Sequence, residues 1–268
     1  MNRPSSVAAG LAVTPSSTLA RSGASGGFVR PDGSSQRSRP LLRKYEMTAL
    51  DASGSVVDMG RLAPATLPFE DSFAAIARGA LLATPTGPRA IEDILPGDTI
   101  LTSQVGPQIV QWVGAMTLLP TSSDAQATPR TLTRIAADSF GLNRPMPDLV
   151  LGPAARLLHQ MPVFNNVYGV SACLTPAGGL VDGDAILDIR PVSPVKLFQV
   201  LVPIHDTMLV NGVEIETHHP GLKIKNQLSR DMLQLYLSMY PGKRSLEDFG
   251  PMAHPRLSED DLAALRVA

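Results

Sequence analysis

Arg78-Gly79-Ala80-Leu81-Leu82-Ala83-Thr84-Pro85-Thr86-Gly87-Pro88-Arg89-Ala90-Ile91-Glu92-Asp93-Ile94-Leu95-Pro96-Gly97-Asp98 is a run of short strands cut by sharp reversals. Ala80 to Thr84 and Arg89 to Ile91 flank the turn residues Pro85-Thr86-Gly87-Pro88. Leu95-Pro96-Gly97-Asp98 places Pro and Gly where a type II turn wants a fixed negative and a positive φ. Thr99 to Thr102 and Gln108 to Val113 continue as strands on either side of Gly106-Pro107. Segments this short, punctuated this often, predict a β-rich domain rather than a helical bundle.

The same texture extends both ways. Upstream, Tyr45 to Leu50, the turn Asp51-Ala52-Ser53-Gly54, and Ser55 to Met59 read as a hairpin placed before the main domain. Downstream, Leu149 to Leu151, Val170 to Leu174, Ala185 to Ile189, Val195 to Val202 and Thr207 to Val210 are strand candidates, and Asn211-Gly212 marks a hairpin leading into Val213 to Glu216. Helical signals are confined to the end of the chain. Leu228, Met232, Leu235 and Met239 recur at helical spacing before Pro241-Gly242, and Ser258-Glu259-Asp260-Asp261 opens a capped helix through Leu262 and Leu265. Met1 to about Pro40 is dense in Ser, Gly, Pro and Arg and reads as a disordered tail that cannot bury enough surface to offset its ordering entropy.

Composition narrows the function classes. Apolar residues are 44% of 268, enough for a sizeable core, while a net charge of −1 supplies no field for nucleic acid or an anionic membrane. Aromatics at 4% leave little for stacking on single-stranded nucleic acid. The single cysteine, Cys173, excludes an internal disulfide and a cysteine-based metal site, so it reads as a small buried hydrophobe. No apolar run approaches the roughly 20 residues of a membrane-spanning helix, and the Ala8 to Val13 patch is too short for a secretory leader. These features point to a soluble, cytoplasmic protein.

Three stretches, in this order, resemble the Hedgehog/intein (Hint) domain family, in particular bacterial stand-alone Hint-domain proteins. The first is the block quoted above. The second, Pro147-Asp148-Leu149-Val150-Leu151-Gly152-Pro153-Ala154-Ala155-Arg156-Leu157-Leu158, is similar to a block usually written Asp-Leu-x-Val/Leu-Ser-Pro-x-His-Arg. The third runs from Phe198-Gln199-Val200-Leu201-Val202-Pro203-Ile204-His205-Asp206 to Leu209-Val210-Asn211-Gly212-Val213-Glu214-Ile215-Glu216-Thr217 and looks like the closing histidine-containing strand pair. The resemblance implies a mainly β, Hint-type compact fold of many short strands. Around it the chain divides into a disordered tail at 1–43, a hairpin and linker at 44–72, the Hint-like domain at 73–222 and a helical C-terminal extension at 223–268.

The resemblance also implies a chemistry, and this chain lacks parts of it. Family members start self-cleavage with an acyl shift in which a Cys or Ser attacks the preceding carbonyl, assisted by a histidine of the second block. Ungapped matching puts Ala75 at the nucleophile position and Ala155 at the histidine position. A methyl group can neither attack a carbonyl nor carry a proton. Glu216-Thr217-His218 stands where splicing members have His-Asn, so cyclisation of a terminal Asn is not available. His205 matches the closing-block histidine and reads as a relic. The expected function is a non-catalytic scaffold or protein-interaction module with an unidentified protein partner.

The alternative is self-cleavage with Ser72 as nucleophile, since Ser72-Phe73 mimics the Cys-Phe pair that opens many relatives. It needs a three-residue insertion and a base other than Ala155. His159, four residues beyond Ala155, lies about 13 Å away along a strand and would need a bent backbone to serve. His218-His219 reads as a solvated turn before Pro220-Gly221, not as a metal pair, because adjacent strand residues face opposite ways. Arg89, Asp93 and Asp98 read as turn and surface positions. No glycine-rich phosphate loop, nucleophile elbow, metal-ligand spacing or cofactor motif is present.

Overall fold

The computed structural model describes residues 41–120, 130–221 and 223–267. The segment read as a disordered tail at 1–43 lies, up to Pro40, outside them, and its last two residues, Leu42 and Arg43, belong to the first strand instead, where Arg43 is tied to Glu70. The first strands are β1 (Leu42–Leu50) and β2 (Val56–Pro64), followed by the single-turn helix α1 (Leu67–Glu70). Then come β3 (Ile76–Ala77), β4 (Leu81–Thr84), β5 (Gly87–Ala90), β6 (Thr99–Leu101), β7 (Pro107–Ile109), β8 (Trp112–Leu118), β9 (Leu132–Ile135) and β10 (Leu149–Leu151). β11 (Arg156–Gln160) leads into α2 (Pro162–Tyr168) and β12 (Ala172–Pro176). β13 (Ile186–Ile189), β14 (Val195–Leu201), β15 (Thr207–Val210) and β16 (Val213–Glu216) precede α3 (Ile224–Gln227), α4 (Arg230–Leu237) and α5 (Glu259–Val267).

These strands form two main antiparallel sheets. One has eight strands in the order β13-β9-β10-β3-β14-β8-β1-β2. The other has six, in the order β12-β11-β16-β15-β4-β5, and β6 with β7 makes a separate ribbon. The mainly β expectation is borne out. The turn chemistry is visible at each reversal. Thr84 pairs with Gly87 around Pro85-Thr86, and Gly97 takes φ +99° in the Leu95–Asp98 turn, where Asp98 N–H donates to the Leu95 carbonyl at 3.0 Å. Asn211 and Gly212 both adopt positive φ between β15 and β16, as a two-residue hairpin requires.

Three readings need correction. The stretch Gln108 to Val113 is not one strand. It breaks after Ile109, because Val110 pairs with the Gly97–Asp98 turn whereas Gln111 turns to Leu201 and starts the long sheet. Helices are not confined to the end either: α1 and α2 both start with Pro in the first turn, and α2 ends at Gly169 in a left-handed conformation. That Pro-start, Gly-end asymmetry was present in the sequence. Finally, the hairpin does not stand in front of the domain. β1 pairs along β8 from Tyr45–Met116 to Ala49–Trp112, so β1 and β2 complete the eight-stranded sheet.

The packing explains that placement. Along β1 the alternate residues Tyr45, Met47 and Ala49 are buried, and they join a core that also holds Phe69, Phe73, Trp112, Ile224, Tyr236, Met239, Tyr240 and Phe249. Hairpin, central strands and C-terminal helices therefore share one apolar layer, with Trp112 Nε1–H donating to the Met239 carbonyl at 2.9 Å. Each large side chain buried there contributes on the order of 2–3 kcal/mol. A second core lies between the two sheets and includes Ile76, Leu82, Ile100, Leu151, Val200 and Ile215. None of the described helices is long and apolar enough to cross a membrane.

Candidate functional site

The segment Phe73-Ala74-Ala75-Ile76 enters the fold between β14 and the loop after β10, and its backbone is held on both sides. Ala75 N–H donates to the Phe198 carbonyl at 3.3 Å. The Ala75 carbonyl accepts from Gly152 N–H at 2.7 Å, and the Ala74 carbonyl accepts from Ala154 N–H at 3.0 Å. Gly152 is required for this approach: a Cβ there would stand 2.2 Å from the Ala74 oxygen. Ala155 follows directly, bonded through its N–H to the Gly152 carbonyl. Ala75 and Ala155 are both buried in the inter-sheet core, and what they contribute is two methyl groups.

This geometry brings the first and second sequence blocks together around one peptide bond, and a family model described as Hint domain matches residues 74–222. The chain belongs to the Hint-domain family. Among solved structures, this Hint chain is similar to a bacterial intein-like domain from Clostridium thermocellum, at TM-score 0.38 and 17% identity over 55% of this chain and 99% of that one. It is also similar to the MchDnaB-1 intein (TM-score 0.32, 16% identity, 54% and 100% covered) and the gp41-1 intein (TM-score 0.32, 14% identity, 54% and 98% covered). No curated protein matches the chain.

Beside the clamped peptide lies a cavity of about 440 Å³ whose wall includes Ser72, Arg156, His218, His219 and Arg256. Ser72 is buried, and its Oγ lies 3.2 Å from the Pro68 carbonyl, to which it can donate, and 2.8 Å from the Tyr236 hydroxyl. Tyr240 donates to Tyr236 at 3.3 Å, and Tyr236 stands 3.5 Å from His218 Nε2. A chain of hydroxyls thus links Ser72 to an imidazole, but no histidine touches Ser72 directly. Burial pushes the Tyr236 phenol up to about 12 and drives His218 well below the usual imidazole range, so both are neutral at physiological pH.

The charged groups of the site converge on Glu216, at the end of β16. Its Oε1 accepts from His205 Nε2 at 3.0 Å and from Arg256 Nε at 2.8 Å. Burial alone pushes this carboxyl up, yet the charges of Arg256 and Arg156 and the His205 hydrogen bond outweigh it and hold Glu216 at about 2. His205 Nδ1 accepts from Ala253 N–H at 2.9 Å, which leaves the ring proton on Nε2. His219 is likewise fully used: Nδ1 accepts from Gly221 N–H, Nε2 reaches the Gly250 carbonyl at 3.0 Å, and its carbonyl accepts from Arg256 Nη2. Burial lowers His219 to about 4, against the hydrogen bond to Gly250.

Positions read from sequence separate accordingly. His205 is buried and fastens the segment around Ala253 to β16, and it meets no nucleophile there. The solvated-turn reading of His218-His219 is overturned: both are buried, at 3% and 7% exposure, because the segment from Phe249 to Leu257 folds over them. His218 stacks on Tyr240 with ring centroids 5.0 Å apart, while His219 packs edge-on against His205. His159 pairs with Cys173 across β11 and β12, and its ring packs on Phe164. Cys173 is buried, and burial pushes its thiol up. Arg89 and Asp98 form an ion pair at 2.6 Å beside their turn. Among the described residues no three His, Cys, Asp or Glu side chains converge as metal ligands do.

Sequence reading missed Arg156, Glu216, Tyr236 and Arg256 as site residues. Arg156 stood in the second block beside Ala155, and Glu216 in the third. Arg256 lies 40 residues beyond its partner with no local signal.

Proposed function

We propose that this Hint domain does not cleave itself and serves in the cytoplasm as a non-catalytic scaffold that binds a protein partner. The observation that carries this reading is the pair Ala75 and Ala155. On the block matching they stand at the positions of the family's nucleophile and histidine, beside a peptide held by backbone hydrogen bonds, and a methyl group can neither start nor assist an acyl shift. His205, the remaining family histidine, has both ring nitrogens engaged, Nε2 with Glu216 of β16 and Nδ1 with the Ala253 N–H of the C-terminal segment. Intact mass of the purified chain after prolonged incubation with excess thiol or hydroxylamine is the test. One full-length species supports the reading, and discrete fragments overturn it.

The hydroxyl chain Ser72–Tyr236–His218 favours a second reading, self-cleavage before Ser72. Against it, proton transfer from Ser72 would have to pass through a phenol that burial keeps protonated, to an imidazole that burial makes a weak base. A fragment beginning at Ser72 that disappears in Ser72→Ala would establish this route.

A further inference from the structure

The cavity beside the clamped peptide has a feature that the ion cluster behind it does not absorb. Arg156 lines it with its side chain 29% exposed. Its Nε is buried and finds no hydrogen-bond partner among the described residues. Nη1 reaches only the Ala154 carbonyl at 3.5 Å and Glu216 Oε2 at 3.9 Å. The nearby carboxylates have closer partners: Glu216 is held by Arg256 and His205, Asp71 by Arg130, and Asp261 by Ser258. A guanidinium keeps its charge and its five donors, so with Nε buried it is the Nη end that is left to the cavity without a close partner. The rest of the wall mixes the Ser72 hydroxyl with apolar side chains such as Ile224, Met252 and Leu257. The volume is in the range of about 300–1,000 Å³ that small-ligand sites occupy.

We propose that this cavity binds a free carboxylate carried on a short apolar body, with Arg156 as the group that recognises it. One N–H from each of the two Nη nitrogens of a guanidinium can form two parallel bonds to the two oxygens of a carboxylate. Asp71 and Asp261 on the same wall disfavour a dianionic phosphate more than a monoanion. The apolar lining takes the hydrocarbon part. A short carboxylic acid and the C-terminal residue of a peptide both present this chemistry. The inference rests on the reading of the domain as a binding module and gives that module its ligand class.

Titration calorimetry on the full chain tests it with four probes: hexanoate, an acetylated Ala-Leu dipeptide with a free carboxylate, the same dipeptide as its amide, and inorganic phosphate. Saturable binding of hexanoate or of the free-acid dipeptide is expected, and whichever binds identifies the source. Binding should be weaker by about tenfold or more for the amide, for phosphate, and for the acid to Arg156→Gln. Arg156→Lys, which keeps the charge and loses the fork, should fall between. Arg156 adds to the charge that holds Glu216 ionised, so Arg156→Gln should unfold at a lower temperature and Arg156→Lys close to the parent, with binding read on folded protein only; should Arg156→Gln fail to fold, Arg156→Lys carries the comparison. No saturable uptake of either acid, equal binding of acid and amide, or unchanged affinity in a folded Arg156 variant would overturn the proposal. A chain that cleaves itself yet binds the acid removes the scaffold reading and leaves the site. An uncleaved chain that binds neither acid removes the site alone.

Discussion

Two regions about one loop apart solve opposite problems. Around Ala74-Ala75 the backbone is bonded on both sides and the side chains are bare methyls, so this segment is held in shape by its backbone and, on the reading proposed above, is chemically silent. Around Glu216 the reverse holds: Arg156, His205, His219 and the carboxylate itself crowd under the segment from Gly250 to Arg256, which adds the Arg256 guanidinium, and every one of them contacts that segment or the cavity beside it. The geometry of the first region rests on backbone hydrogen bonds and one glycine, which survive loss of reactive side chains. The second region rests on charges, which cannot be removed singly without leaving a partner buried and unpaired.

That contrast can be broken from either side. The largest effect is expected from Glu216→Ala, which strands Arg256 and His205: chemical denaturation should show a loss of about 3–5 kcal/mol. Gly152→Ala attacks the silent region through its backbone, placing a methyl 2.2 Å from the Ala74 oxygen, and should cost about 2–3 kcal/mol in the same measurement. A loss under 1 kcal/mol there would mean the clamp is not what fixes this peptide.

Acid sharpens the comparison because only the second region titrates. His219, held at about 4 against an ordinary 6.5, is neutral when folded and takes a proton when unfolded, so its environment loses stability as pH falls from 6.5 through 4. Glu216, held at about 2 against 4.5, contributes stability present above 4.5 and lost as pH falls toward 2. Thermal unfolding midpoints should therefore drop in two stages below pH 6.5, the first fed by His218 as well as His219, with His219 worth about 3 kcal/mol and the stage reduced in His219→Gln. The smallest effect, about 1 kcal/mol, is expected for Ser72→Ala, because Tyr236 retains Tyr240 and His218 as partners.

The silent region was largely legible in the sequence. Its turns are local chemistry, with Gly and Pro at the positions their φ values demand, and Ala75 and Ala155 lie in the two sequence blocks that meet in the fold. The charged region was not. Pro220-Gly221 after His218-His219 reads as an exposed turn, and only the later fold-over of Phe249 to Leu257 buries the pair. The helical stripe Leu228, Met232, Leu235, Met239 was seen, but the side chains buried most deeply are Tyr236 and Tyr240 together with Met239. Their hydroxyls gave no periodic signal, since a tyrosine serves as core and as hydrogen-bond partner at once. The pairing of β1 with β8 was invisible for a related reason: strand partners distant in sequence leave no trace in local pattern.

The central claim, that a methyl group stands where the acyl shift would begin, is tested most directly by the intact mass of the full chain after long incubation with thiol and hydroxylamine. A single species at the full-length mass is the expected result. A fragment ending at Ala74 or at Asp71 would contradict it.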